Sequence, residues 1–186
     1  TGLKPRVDGV IAKRDGSLIQ GWEIVTMPFA RNLWLAPNPK TGPVKRLFAL
    51  VKSLQDLHYD SHNGGRCGLH MHICRKAFGP KDAPKDGKSD VGSTHFFWFC
   101  KLLNGKLFRK LSQRDTPSLN KWGRQIKKVT PKRPYEFSYN KGEQSYDRRV
   151  AVNVTERTVE IRLFRGNLRE DRVRKGVEAV LAAVEF

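Results

Sequence analysis

Chargeable side chains interrupt three stretches of this sequence that otherwise have the composition of β-strands. Glu23 lies in the first stretch, His70 and His72 lie in the second, and Glu160 and Arg162 lie in the third. Because successive side chains of a strand point to opposite faces, the two histidines share a face, and so do Glu160 and Arg162. Carboxylate oxygens suit Mg²⁺, and a guanidinium binds phosphate through two parallel hydrogen bonds. If the three faces coincide, the sequence predicts a site for a metal ion and a phosphate group.

Each of these residues also has a purely structural interpretation. A single Glu23 in a strand is more often exposed to solvent than bound to a ligand, because antiparallel sheets commonly have one wet face. Glu160 and Arg162 alone are compatible with a structural ion pair, which contributes about 0–1 kcal/mol when exposed. The functional interpretation depends on the co-occurrence of these residues, and on Gly68, which lets another group approach the backbone near His70.

The spacing of apolar residues predicts the elements that position these side chains. Apolar residues alternate in the strands and recur every three or four positions in the helices. The pattern predicts strands over 10–12 and 22–26, a loop over 30–43, a helix over 44–58, a strand over 67–74, an excursion over 79–93, a helical stretch over 94–113 interrupted near Asn104-Gly105, strands over 150–154 and 158–164, and a helix over 171–186.

The last two predicted strands are separated by a short turn near Glu156-Arg157, so they are expected to form an antiparallel hairpin. We therefore expect one α+β domain over residues 1–186, with helices packed on one face of a mainly antiparallel sheet.

The charge balance indicates a polyanionic partner. The 186 residues contain 36 Lys and Arg against 18 Asp and Glu, a net charge of +18. Between Lys101 and Arg133 there are eleven basic residues and a single acid, Asp115. This stretch is the predicted contact for nucleic acid or another polyanion. The alternative is a strongly solvated surface, because net charge governs association and not chemistry.

The cysteine content and the apolar runs exclude two classes of protein. Cys67, Cys74 and Cys100 cannot all pair, and their spacing is not that of a zinc site. A reducing, cytoplasmic compartment is the simplest interpretation. The longest apolar runs are too short to cross a bilayer, so no contact with a membrane is expected.

Four blocks of the sequence, in a fixed order, resemble the amidoligase family, which is often found in phages. The family is similar to glutamate-cysteine ligases and, more distantly, to glutamine synthetase. The blocks are Asp15-Gly16-Ser17-Leu18 with residues 22–28, Cys67-Gly68-Leu69-His70-Met71-His72-Ile73, Arg148 with residues 151–154, and residues 159–168. The resemblance implies a fold similar to that of glutamine synthetase and glutamate-cysteine ligase.

The resemblance also implies an activity, that of an ATP-dependent carboxylate-amine ligase. In such a reaction ATP phosphorylates a carboxylate, and an amine then attacks the acyl phosphate to form an amide. By similarity, Glu23, His70 and Glu160 would hold Mg²⁺ ions that bridge the ATP phosphates. Arg162 would stabilise the phosphoryl group during transfer. If a phage encodes the protein, the expected compartment is the host cytoplasm.

Further pocket residues follow from the same resemblance. Glu160, Arg162 and His72 are expected in the catalytic pocket, and Arg148 and Asn153 are expected to bind ATP together with Arg162. The family usually opens with a strand that carries a Glu-x-Glu pair of metal ligands. No such pair precedes Asp15, so we expect either that the chain begins after that strand or that this member lacks those ligands.

Two other functions fit part of the sequence. The first is a non-catalytic, nucleic-acid-binding or virion-associated protein on the same fold, which the net charge favours. The second is a rolling-circle nickase, whose strand binds a divalent ion with two histidines around a hydrophobic residue, as in residues 70–72. A nickase needs a tyrosine nucleophile on a helix. Tyr135, Tyr139 and Tyr146 lie in a stretch without helical spacing.

Overall fold

The protein is a mixed α+β structure, as the sequence predicts, and its strands form small antiparallel sheets. The computed structural model describes residues 6–7, 9–14, 21–35, 42–61, 67–79, 91–124, 150–154 and 157–186. In chain order the elements are β1 (Arg6–Val7), β2 (Val10–Arg14), β3 (Trp22–Thr26), α1 (Arg31–Leu35), α2 (Pro43–Asp56), β4 (Gly68–Cys74), a 3₁₀ turn (Arg75–Phe78), α3 (Val91–Leu103), α4 (Lys106–Leu111), α5 (Thr116–Trp122), β5 (Val152–Val154), β6 (Thr158–Arg165) and α6 (Glu170–Glu185).

The strands form two separate sheets, and this corrects one expectation. The order is β1-β2-β3 in the first sheet and β4-β6-β5 in the second, with every pair of strands antiparallel. We expected the strand of Glu23 to share a sheet with the strands of His70 and Glu160, and this was wrong. β3 pairs with β2, its neighbour in sequence, along five residue pairs, whereas β4 pairs with the distant β6.

The second sheet has one apolar and one polar face. Met71 lies opposite Ile161, and Ile73 lies opposite Val159. These apolar side chains pack below α6, where Cε of Met71 lies 3.4 Å from the position that a Cβ on Gly176 would take. The other face carries the polar residues of the same strands. Successive side chains of a strand point to opposite faces, so the apolar residues lie in the core and the polar residues form the candidate site, as predicted.

An irregularity in the pairing of β4 with β6 lies at the polar face. Leu69 pairs with Phe164 and Met71 pairs with Ile161, so that the single residue His70 lies opposite two residues of β6. Such a β-bulge frees backbone groups from the ladder. Here the guanidinium of Arg114 donates to the Leu163 carbonyl at 3.1 Å and to the Phe164 carbonyl at 2.9 Å.

The longer helices form where the apolar spacing predicts them. α2 begins at Pro43 and buries Val44, Leu47, Phe48 and Val51 against the first sheet and α6. The predicted helical stretch over 94–113 is present as α3 and α4, and it is interrupted between Leu103 and Lys106 as expected. None of the described helices combines the length and the apolar composition that crossing a membrane requires.

Two short helices were not predicted. Residues 31–35 were expected to be part of a loop, but they form α1, because Trp34 packs against Phe29 at 5.6 Å and against Phe48 at 6.4 Å between ring centroids. α5 also lay outside the prediction. Its N-terminus is capped by Asp115, whose carboxylate accepts from the Ser118 amide at 2.8 Å.

Two glycines of this fold respond oppositely to the same substitution. A Cβ on Gly166 would lie 2.8 Å from Oγ of Ser61 and 3.0 Å from the backbone carbon of Cys67. We expect Gly166→Ala to lower the free energy of unfolding by about 1–3 kcal/mol, because overpacking forces the backbone apart.

A Cβ on Gly176 would have ordinary contacts of 3.4 Å or more. Gly176→Ala should raise the free energy of unfolding by about 0.5 kcal/mol through helix propensity.

Denaturant unfolding of both variants measures the two effects. Equal shifts of the same sign would contradict this packing of β4, β6 and α6.

Candidate functional site

The polar face of the second sheet is centred on the buried carboxylate of Glu160. Its side chain is only 9% exposed. Asn153, directly opposite on β5, donates its Nδ2 to Oε2 of Glu160 at 2.9 Å. Arg162, two residues further along β6, donates its Nη1 to Oε1 at 2.7 Å. Both carboxylate oxygens therefore have a donor at hydrogen-bond distance.

Two histidines of β4 complete the cluster. Nδ1 of His70 lies 3.5 Å from Oε1 of Glu160, and Nε2 of His72 lies 3.9 Å from the same oxygen. His72 lies directly opposite Glu160 in the sheet, and its Nδ1 forms a hydrogen bond of 3.2 Å with Oγ1 of Thr158. The structure thus brings five of the predicted site residues together: His70, His72, Asn153, Glu160 and Arg162.

The surroundings of Glu160 favour its ionised form. Burial by itself raises the pKa of this carboxyl, but the hydrogen bond from Asn153 and the charge of Arg162, with smaller contributions from His70 and His72, outweigh burial and leave the pKa below its ordinary value. Glu160 is therefore negatively charged at neutral pH.

The surroundings of His70 favour the neutral imidazole. Burial and the positive charge of Arg162 lower its pKa, and His72 adds to this effect. The negative charges of Glu160 and Glu23 act in the opposite direction but do not restore the ordinary value. At neutral pH His70 therefore keeps a nitrogen lone pair that can accept a hydrogen bond or a proton.

Arg162 has one donor that is not used. Its side chain is 20% exposed, and its Nε is buried without a hydrogen-bond partner among the described residues. An unpaired buried donor costs about 1–3 kcal/mol. Since Nη1 is held by Glu160, the guanidinium is fixed in place.

Glu23 lies on the other sheet. Its carboxylate forms an ion pair of 2.9 Å with Nζ of Lys13, its partner on β2, and both side chains are 43% exposed. Its charge contributes to the pKa of His70, so Glu23 acts on the cluster electrostatically. Its predicted role as a metal ligand stays a prediction.

Other predicted residues lie outside the described part of the chain. Arg148, which was predicted to bind ATP, is one of them. The others are the basic residues over 125–133 and the tyrosines Tyr135, Tyr139 and Tyr146.

The described residues do not fit the Mg²⁺ site that the resemblance implies. Among them, no group of three or more His, Cys, Asp or Glu side chains is placed so that it could hold a metal ion. The cation beside Glu160 is the guanidinium of Arg162, and Asn153 uses the other carboxylate oxygen. The partly exposed guanidinium of Arg162 suits an anion better than a cation.

No family model, curated protein or solved structure matches this chain. The function of the cluster must therefore be inferred from its own side chains.

Two contributors to the site were missed in the sequence. Thr158 lies two residues before Glu160, so the period of two places it on the same face and the signal was present. Arg114 supports the bulge from a helical region 49 residues before Leu163, and no local pattern indicates that contact.

The central role of Glu160 can be tested through stability. Glu160→Gln leaves Arg162 without its counter-charge in a largely buried position, so we expect the free energy of unfolding to fall by about 3 kcal/mol at pH 7. Because the pKa of Glu160 is lower in the folded chain than the ordinary 4.5, its ionisation stabilises the protein above pH 4.5. This stabilisation is lost as the pH falls through the folded-state pKa of Glu160. Glu160→Gln has no carboxyl at this position, so it should not show this loss of stability at acid pH.

Glu23→Gln is the matched control. It removes the same charge from a half-exposed ion pair and should cost no more than about 1 kcal/mol. Urea unfolding of both variants between pH 3 and pH 7 measures the difference. Equal losses in the two variants would contradict the burial and pairing of Glu160.

Proposed function

We propose that this protein is an ATP-dependent carboxylate-amine ligase, and that the polar face of the β4-β6-β5 sheet handles the phosphoryl group. One observation carries the proposal. The guanidinium of Arg162 is fixed by an ionised carboxylate through Nη1, its side chain is 20% exposed, and its buried Nε has no hydrogen-bond partner among the described residues. This is the residue to which the amidoligase resemblance assigns the phosphate contact.

Arg162 is suited to a charge that develops during reaction. Transfer of a phosphoryl group depends on positioned donors far more than on covalent chemistry. Glu160 holds Nη1 at 2.7 Å, so the guanidinium does not have to reorganise when the phosphoryl group moves. In this proposal the exposed part of the guanidinium donates to an oxygen of the transferring group.

The histidines supply a proton acceptor for the second step. When an amine attacks an acyl phosphate, the new C–N bond forms, phosphate leaves with the electron pair of the C–O bond, and the amine nitrogen loses a proton. The neutral imidazole of His70 can take that proton. His72 is half exposed on the same face, and in this proposal it lines the entrance to the site.

We assign no step to Mg²⁺, since the described residues include no group of three or more His, Cys, Asp or Glu side chains placed to hold a metal ion. The proposal assigns charge neutralisation to Arg162, and ATP and the amine and carboxylate pair are the substrates.

Arg162→Lys tests the proposal while it keeps a positive charge beside Glu160. Arg162→Ala is less suitable, because it would leave the buried carboxylate without its main partner. Lysine retains the charge but cannot reproduce the planar fork of donors. We expect Arg162→Lys to cut ATP-dependent phosphate release, measured with a pool of amines and carboxylates, by about 10²-fold, the usual effect of losing one transition-state donor.

Arg157→Lys is the control, because Arg157 is exposed at the start of the same strand region. It should retain wild-type turnover. Wild-type protein that neither binds nor turns over ATP would contradict the ligase proposal. Equal turnover in wild type and Arg162→Lys would leave an enzyme in which Arg162 has no role.

A further inference from the structure

Helix α3 exposes a tryptophan next to two of the most buried aromatic residues of the protein. Phe96 and Phe99 are 0% and 1% exposed, whereas Trp98 between them is 55% exposed. The apolar face of α3 is thus already used by the core, and Trp98 lies on the opposite side. Packing in the core does not explain why this large aromatic side chain is exposed to solvent.

Trp98 belongs to a small group of aromatic and basic side chains. Its ring meets the ring of Phe97 edge to face, with centroids 5.2 Å apart and an interplanar angle of 72°. Nζ of Lys101 lies 5.4 Å from the centroid of the same Phe97 ring. A flat aromatic surface and a cation therefore lie side by side on one turn of the helix.

The basic character continues into α4, which packs against α3. Lys106 and Lys110 are exposed there. Residues 91–124 contain seven Lys and Arg and a single acid, Asp115, whose carboxylate already caps α5. Basic residues therefore greatly outnumber acidic ones in the part of the chain that contains Trp98.

We infer that this surface, formed by Trp98, Phe97 and Lys101 of α3 and by Lys106 and Lys110 of α4, binds single-stranded nucleic acid. A base stacks on Trp98, and the lysines contact the adjacent phosphates. Aromatic platforms within a basic surface are how proteins hold single strands without reading their sequence.

The same observations disfavour other partners. In a duplex the base faces are stacked on one another and cannot reach Trp98. A membrane would require a continuous apolar face, but the apolar face of α3 lies in the core. An acidic protein would complement the positive charge of the lysines, but it would give the exposed ring of Trp98 no specific role.

The test uses a fluorescein-labelled oligothymidylate of about 15 nucleotides, a site size within the range for such surfaces. Wild-type protein should bind it at about 50 mM salt with quenching of tryptophan fluorescence, and more tightly than it binds a duplex of equal length. Trp98→Ala should weaken binding about tenfold, because stacking of one base is lost. Trp22→Ala is the matched control, since Trp22 is 57% exposed but lies on the first sheet.

A pair of lysine variants tests the phosphate contacts. Lys101→Gln should reduce the slope of log affinity against log salt by about 0.7, the value for one phosphate of a single strand. Lys52→Gln removes the same charge from an ion pair with Asp56 on α2 and should leave the slope unchanged.

Three results would overturn the inference. They are undetectable binding of the oligothymidylate at about 50 mM salt, equal affinities of Trp98→Ala and Trp22→Ala, or equal affinity of the wild type for the single strand and for polyglutamate of the same charge.

Discussion

The negative charge of Glu160 is buried in the middle of a sheet, and the arrangement of the site depends on how that charge is compensated. A carboxylate taken out of water costs several kcal/mol unless donors and counter-charges replace the lost hydration. Asn153 and Arg162 supply the two hydrogen bonds. The β5-β6 hairpin places Asn153 directly opposite Glu160, and Arg162 lies two residues further along β6. The hairpin and these polar contacts therefore stabilise each other.

The compensation of Glu160 also determines the state of its neighbours. Arg162 is held by one nitrogen, its Nε has no partner in the described part of the chain, and its positive charge helps to hold His70 neutral. The β-bulge opposite His70 is stabilised by Arg114 through two backbone carbonyls. A guanidinium and a neutral imidazole thereby lie on the same face, and the ligase reaction that we propose would use the first for the phosphoryl group and the second as the proton acceptor.

The sequence predicted the faces of the strands better than the pairing of the strands. The alternation in β4 and β6 is local, so it correctly placed His70, His72, Glu160 and Arg162 on one side, and the short turn before β6 correctly indicated the hairpin. The partner of β3 depends on which strands meet in three dimensions, and no local pattern contains that information. Glu23 was therefore assigned to the wrong sheet, although its strand was predicted correctly. The short helix α1 was missed for a similar reason, because the packing of Trp34 stabilises it despite a composition rich in proline nearby.

A structure of the protein crystallised with a non-hydrolysable ATP analogue would test the central claim most directly. We predict that an oxygen of the terminal phosphate lies within hydrogen-bond distance, about 2.7–3.2 Å, of a guanidinium nitrogen of Arg162, with Nη1 still on Glu160. A nucleotide bound elsewhere, with Nε of Arg162 bonded to a protein carbonyl, would contradict the account.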